Sequence, residues 1–134
     1  MYGALSIGLK PQNSTLLIAR IKKGLPFKSF EQLCHSLAIP EKELAAVLNI
    51  PSSTLARRKK SGQLAFEESE RLFRVARLYD KALEVFEAPE MARKWLKDPA
   101  WSLGDIAPLQ YADTELGSQE VEALLGRIEH GIFS

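Results

Sequence analysis

Apolar residues recur along most of the chain at the three-to-four-residue spacing of an amphipathic helix, and hardly any stretch alternates as a half-buried strand would. The clearest case is the final block, DTELGSQEVEALLGRIEHGIFS, from Asp113 to Ser134. Asp113 or Thr114 suits an N-cap, because a short side-chain oxygen accepts from the free N–H groups of a first turn. Glu115 then falls where the helix dipole favours negative charge. Val121, Leu124, Leu125 and Ile128 form one apolar stripe. Gly117 lies on the same face four residues before Val121, so another backbone or chain can approach closely there. Arg127 and His130 sit near the negative end of the helix, and Gly131 is a natural left-handed stop. His130 is either a pH-sensitive contact or a side chain satisfying the last carbonyls. Beyond the stop stand Ile132, Phe133 and Ser134, two apolar side chains and a carboxylate suited to contact a partner.

The same periodicity divides the rest of the chain. Residues 1–12 show none and are expected to form an irregular or mobile arm. Asn13 or Ser14 opens a helix to about Lys23, with Leu17, Ile18 and Ile21 inward and Gly24 as its stop. Ser29-Phe30-Glu31-Gln32 has the form of a capping box opening a helix to about Leu37. Its stripe is Phe30, Leu33, Cys34 and Leu37, with Cys34 read as a small core residue rather than a nucleophile. Then IPEKELA at 39–45 is echoed by IPSSTLA at 50–56. In each, Ile and the Leu five residues on can close a hydrophobic staple, and Pro presets the φ of a helix start. Asn49 falls where the turn between them needs a left-handed residue. Helices 41–48 and 52–60, the second stopped by Gly62, have the proportions of a helix-turn-helix.

Residues 66–87 make the longest predicted helix, with Leu72, Val75, Ala76, Tyr79, Ala82, Leu83 and Phe86 as its buried stripe. Glu67–Arg71 and Glu70–Arg74 have the spacing of helical ion pairs. Ala88-Pro89 opens a helix over 89–97, which Asp98-Pro99 ends. A short turn at 109–112 leads into the last helix. The expected fold class is all-α, with one domain over residues 1–87 and a second over 88–134.

Charge adds what periodicity cannot. The formal net charge of +1 conceals ten Lys/Arg against three Glu in residues 1–63, or +7, and eight Lys/Arg against fourteen Asp/Glu in residues 64–134, or −6. A basic half suggests a polyanionic partner and an acidic half a different one. The helix from residue 52 carries this furthest, with Ser52, Ser53 and Thr54 at its start and Arg57, Arg58, Lys59 and Lys60 following. Hydroxyls at a helix N-terminus reach phosphates or base edges, and arginine reads guanine in the major groove. These seven residues are the candidate DNA-binding set; a shift of the helix to dimerisation is the alternative.

Other classes of function find little support. No apolar run approaches the roughly 20 residues of a membrane span. The opening MYGALSIGLKPQNS lacks the form of a signal peptide, and a lone cysteine fits a reducing cytoplasm. Cys34, His35 and His130 have no metal-ligand spacing, and no glycine-rich phosphate loop follows a strand. Neither enzyme, metal nor cofactor is expected.

The C-terminal block, with WLKDPAWSLGDIAPLQYADTELG before it, closely resembles the toxin-binding domain of Xre/MbcA/ParS-type antitoxins. The matching residues are Trp95, Leu96, Leu103, Gly104, Pro108, Leu109, Asp113, Thr114, Gly117, Leu124, Leu125, Gly126, Arg127, Ile128 and Gly131. The family often has a second glycine where Asp105 stands. Its tight turn around Leu103-Gly104 implies that Trp95 and Trp101, which can fill a core or anchor an interface, mainly pack inside. Residues 41–60 are similar to an Xre-type DNA-binding unit.

The resemblance implies a non-catalytic antitoxin of a type II toxin–antitoxin pair. Its partners would be a RES-domain toxin that depletes NAD, operator DNA and a second copy of the chain, in a higher-order complex with toxin. The implied toxin-binding residues are Asp113, Thr114, Gly117, Val121, Leu124, Arg127, Ile128, His130, Gly131, Ile132, Phe133 and Ser134. A helix-turn-helix regulator whose second domain dimerises or senses a ligand is the alternative.

Overall fold

A computed structural model describes residue 7 and residues 14–131. Among the described residues the chain is all-α: eight α-helices, a 3-10 turn at Trp101–Leu103 and two isolated β-bridges, with no strand. The helices are α1 (Ser14–Lys23), α2 (Phe27–Leu37), α3 (Glu41–Val47), α4 (Ser52–Ser61), α5 (Phe66–Phe86), α6 (Pro89–Lys97), α7 (Pro108–Tyr111) and α8 (Glu115–Glu129).

The spine is α5, which packs against α1, α2, α6 and α8. Partners on several sides explain why Leu78, outside the predicted stripe, is as fully buried as Leu72 and Ala76, whereas Leu83 and Phe86 near the end of the helix are only half-buried. The predicted pairs of Glu67 with Arg71 and Glu70 with Arg74 do not form. Arg71 instead donates to the Leu48 carbonyl at 3.0 Å, and Arg74 reaches Glu115 at 3.4 Å. Tertiary partners outcompete local ones here because exposed i,i+4 pairs stabilise by only a few tenths of a kcal/mol.

Four further expectations change. Ile18 is 52% exposed, because Leu17 and Ile21 occupy the inward stripe of α1 and Ile18 lies a step round the helix. Asn13, its alternative cap, lies outside the described residues. Ile7 is buried in the core, so at that position the first twelve residues are not a loose arm. Helix α2 begins two residues before the expected Ser29 cap. Pro26 is its N-cap at φ −64° with no side-chain cap bond, while Leu25 and Phe27 on either side are buried. Their backbone N–H groups donate to Ser69 Oγ at 2.8 Å and to the Gly62 carbonyl at 2.9 Å, so tertiary partners replace the capping box. Finally, Pro40 and Pro51 are extended N-caps of α3 and α4 rather than first helical residues.

The turns follow the residues placed in them. Asn49 between α3 and α4 adopts φ +57°, and Gly62 ends α4 at φ +82°. Between α6 and α7, the 3-10 turn Trp101–Leu103 runs into Gly104 and Asp105, both left-handed at φ +72° and +63°. An aspartate tolerates that region better than most side chains, so the turn closes without a second glycine. The Ala100–Ile106 bridge closes this turn.

One apolar cluster runs from Ile7 through Leu125. Polar contacts bind its ends together: Arg93 and Lys97 of α6 donate to the Ser36 and Leu37 carbonyls at 2.8 and 3.1 Å. Those carbonyls lie at the end of α2, where cations satisfy the unpaired acceptors and the helix dipole together.

Candidate functional site

Two surfaces carry the candidate residues. On the first, α4 has no buried residue at all, and only Leu55 anchors it among the partly buried apolar side chains. Ser52, Ser53, Arg57, Lys59 and Lys60 are exposed, and Thr54 and Arg58 half-exposed. Two of the four cations are already engaged. Arg58 Nε donates to Glu68 Oε1 at 2.8 Å, and the same oxygen accepts from the Ala65 N–H at 2.8 Å, closing the start of α5. Burial pushes the Glu68 carboxyl up, but the hydrogen bonds from Arg58 and Ala65 and the charges of Arg58 and Arg71 outweigh it, so its pKa lies below the ordinary value. The hydrogen bond to Glu68, more than its charge, holds the Arg58 guanidinium above its usual pKa. Lys59 pairs with Glu41 of α3 at 3.3 Å. Arg57 donates only to Thr54 Oγ1, one turn back, at 3.3 Å. Arg57 and Lys60 therefore face solvent beside the two N-terminal serines.

The second surface is built by α8 and the turns before it. Thr114 is the N-cap, its Oγ1 accepting from the Gly117 N–H at 2.9 Å. Asp113, the alternative, is exposed, and its carbonyl accepts from Arg74 at 3.5 Å. Gly117 is buried, and a Cβ there would overlap the Tyr111 carbonyl oxygen. The backbone that approaches Gly117 is thus that of this chain's own α7. Val121 and Leu124 also face the chain's core, while Arg127 and Ile128 are half-buried. His130 and Gly131 are exposed at the end of α8, with Gly131 left-handed at φ +73°. Ile132, Phe133 and Ser134 lie outside the described residues.

The sequence reading missed exposed apolar side chains at the start of α8 and in the turn before α7. Trp101 is 81% exposed, Leu116 70% and Ile106 43%. Trp101 corrects the expectation of two packed tryptophans. Trp95 is half-buried with its ring 5.7 Å from that of Phe86, whereas Trp101 sits on a three-residue 3-10 turn whose buried residue is Leu103. Leu116 follows Glu115 at the start of α8, opposite the stripe of Val121 and Leu125. An apolar residue out of helical phase was the available signal for it.

Cys34 fits its reading as core: burial, and then the charges of Glu41 and Glu31, push its thiol up to about 12. No group of three or more His, Cys, Asp or Glu among the described residues could hold a metal, and no helix among them is long and apolar enough to cross a membrane.

Both halves match known families. The antitoxin Xre-like helix-turn-helix domain matches residues 16–77, and the antitoxin Xre/MbcA/ParS C-terminal toxin-binding domain matches residues 81–131. The chain is 36% identical over 130 residues to an Antitoxin Xre of Yersinia enterocolitica serotype O:8, spanning 96% of this chain and 88% of that one. The chain belongs to the Xre antitoxin family. An Antitoxin Xre of Photorhabdus laumondii is 30% identical over 131 residues, with the same 96% and 88% coverage. A Prs ADP-ribosylating antitoxin of a Sphingobium species is 28% identical over 127 residues, spanning 87% of this chain and 80% of that one. For an Xre-family chain the two surfaces gain a division of labour: α4 lies in the helix-turn-helix unit, and α6 to α8 in the toxin-binding unit.

Proposed function

We propose that this Xre-family chain is the antitoxin of a type II pair whose toxin is a RES-domain enzyme that degrades NAD. The functional boundary is residue 87/88: the first module binds the operator of its own operon, and residues 88–134 bind the toxin. The observation that carries this reading is the pairing of a basic helix that keeps Arg57 and Lys60 open to solvent with an acidic module on one shared spine, α5.

In the first module, Ser52, Ser53, Thr54, Arg57 and Lys60 contact DNA, with Arg57 as the base reader. Arg58 and Lys59 hold α4 in place while adding positive potential. A homodimer places two copies of α4 on a palindromic operator about one helical turn apart. In the second module, Gly117, Val121 and Leu124 shape the domain. The end of α8, with Arg127, Ile128, His130 and Gly131, docks beside the toxin's NAD cleft, and the tail Ile132–Ser134 covers its mouth. Inhibition is steric and needs no catalytic residue or cofactor on the antitoxin.

Co-expression with the neighbouring reading frame, affinity purification and an NAD assay test the proposal. A stable complex with silent NAD consumption is the expected result. If nothing co-purifies, the antitoxin reading fails and a helix-turn-helix regulator with a dimerising or ligand-sensing second domain takes its place.

A further inference from the structure

A shallow groove of about 690 Å³ opens where the Trp101–Ile106 turn, α7 and the first half of α8 meet. Ile106 and Leu116 supply apolar walls, Gln110 and Tyr111 line it, and Asp113 and Glu120 bring carboxylates. Trp101 projects into solvent from the same closed turn, whose bridge from Ala100 to Ile106 fixes it relative to the groove. Three large apolar side chains at 81%, 70% and 43% exposure on one small module are costly to leave in water. Each sits on backbone held by hydrogen bonds, as the Ala100 N–H to the Ile106 carbonyl at 3.1 Å illustrates, so little order is left to impose on binding.

Charge selects the occupant. Asp113 and Glu120 line this groove, in a half of the chain that carries net −6, counted as eight Lys/Arg against fourteen Asp/Glu. A second copy docked through the same patch about a two-fold axis would set carboxylates against carboxylates. DNA is repelled for the same reason. The fitting partner is a protein surface with an apolar knob flanked by lysine or arginine.

We infer that the groove walled by Ile106 and Leu116, with Trp101 exposed on the same closed turn, is the affinity anchor for the toxin, separate from the tail that inhibits it. This deepens the antitoxin reading and rests on it. Leu116 and Gly131 are separated by most of α8, whose 15 residues span about 22 Å at 1.5 Å per residue. The toxin is therefore gripped at one end of α8 and blocked at the other. Tryptophan is a frequent interface hot spot, and a desolvated one commonly carries tenfold or more in affinity.

The test titrates the full chain against the protein encoded by the adjacent reading frame, with NAD consumption measured in parallel. Trp101→Ala and Leu116→Glu should each weaken the complex at least tenfold without changing the melting temperature. Ile18→Ala, open at 52% exposure but on α1 in the first module, should change it less than twofold. Glu120→Lys should slow association severalfold with a steeper effect at low salt. Deleting residues 132–134 should leave binding within about threefold while releasing NAD consumption. A Leu116→Glu variant that binds as tightly as the wild type overturns the inference and leaves the antitoxin reading standing. A fall in the free protein's mass on Leu116→Glu, showing self-association through this face, also overturns it. If the wild type itself fails to bind, the antitoxin reading and the anchor fall together.

Discussion

Helices α4 and α8 are both exposed on one side and both end in a left-handed glycine, Gly62 and Gly131, yet they are held in opposite ways. Helix α8 buries Gly117, Ser118, Val121, Leu124 and Leu125, and its position is set by packing against α5. Helix α4 buries nothing completely and is held by Leu55, the Arg58–Glu68 pair and the Lys59–Glu41 pair. A helix fixed by packing gives up a whole face to its own core. One fixed by a few ion pairs keeps nearly all its surface for a ligand, at the cost of spending part of its charge internally. Several candidate residues on each helix are therefore occupied: Gly117, Val121 and Leu124 on α8, Arg58 and Lys59 on α4.

The contrast is broken most severely at the anchors. Leu125→Ala should destabilise the protein by about 3 kcal/mol, the usual cost of a cavity at a fully buried leucine, while Leu55→Ala, half-buried, should cost about half that. Chemical denaturation measures both; equal losses would mean that α4 is packed as tightly as α8.

Next come the two neighbouring arginines. Arg58→Ala leaves the Glu68 carboxylate, 10% exposed, without its guanidinium and should cost about 1–2 kcal/mol. Arg57→Ala should change stability by less than about 0.5 kcal/mol while lowering operator affinity at least tenfold in a gel-shift titration. A variant lacking both arginines confounds the two effects, which the single variants separate.

Caps give a smaller difference. Thr114→Ala should cost about 1 kcal/mol in thermal unfolding, because its Oγ1 caps α8. Ser52→Ala and Ser53→Ala, in a helix capped by Pro51 without a side-chain bond, should be nearly silent for stability. A loss of DNA affinity in these serine variants would then report contact rather than folding.

The smallest effect is a pH slope. The folded pKa of Glu68 is lowered, so the unfolded state binds the extra proton first and stability falls with acidity. The contribution is complete above the unfolded value, near 4.3, and disappears as pH drops through the lowered folded value. Glu68→Gln should flatten that part of the stability curve on the acid side of about pH 5; an unchanged slope would place the titration elsewhere.

Most of the fold was legible because helical period, proline and left-handed turn residues act over a few positions. Asn49, Gly62, Thr114 and Gly131 each sit where local backbone chemistry requires them. The missed features were those in which distant groups compete. Ser29 has the form of a cap, but Leu25 and Phe27 were drawn into a core formed by residues far along the chain, and the helix started earlier. Arg71 and Arg74 have good helical partners in sequence, yet the Leu48 carbonyl and Glu115 won them. The tight turn around Leu103-Gly104 implied that Trp101 packs inside, yet in the folded chain it faces water at 81% exposure.

By itself the sequence determined the helices, their stops, the basic surface of α4 and the opposed charges of the two halves, since these follow from residue type and short-range spacing. Tertiary structure decided which charges stay free, which face of α8 belongs to the core, and that Ile106 and Leu116 share a groove while Trp101 stays in water. Those outcomes depend on which groups meet across the spine α5, and no local pattern encodes that meeting.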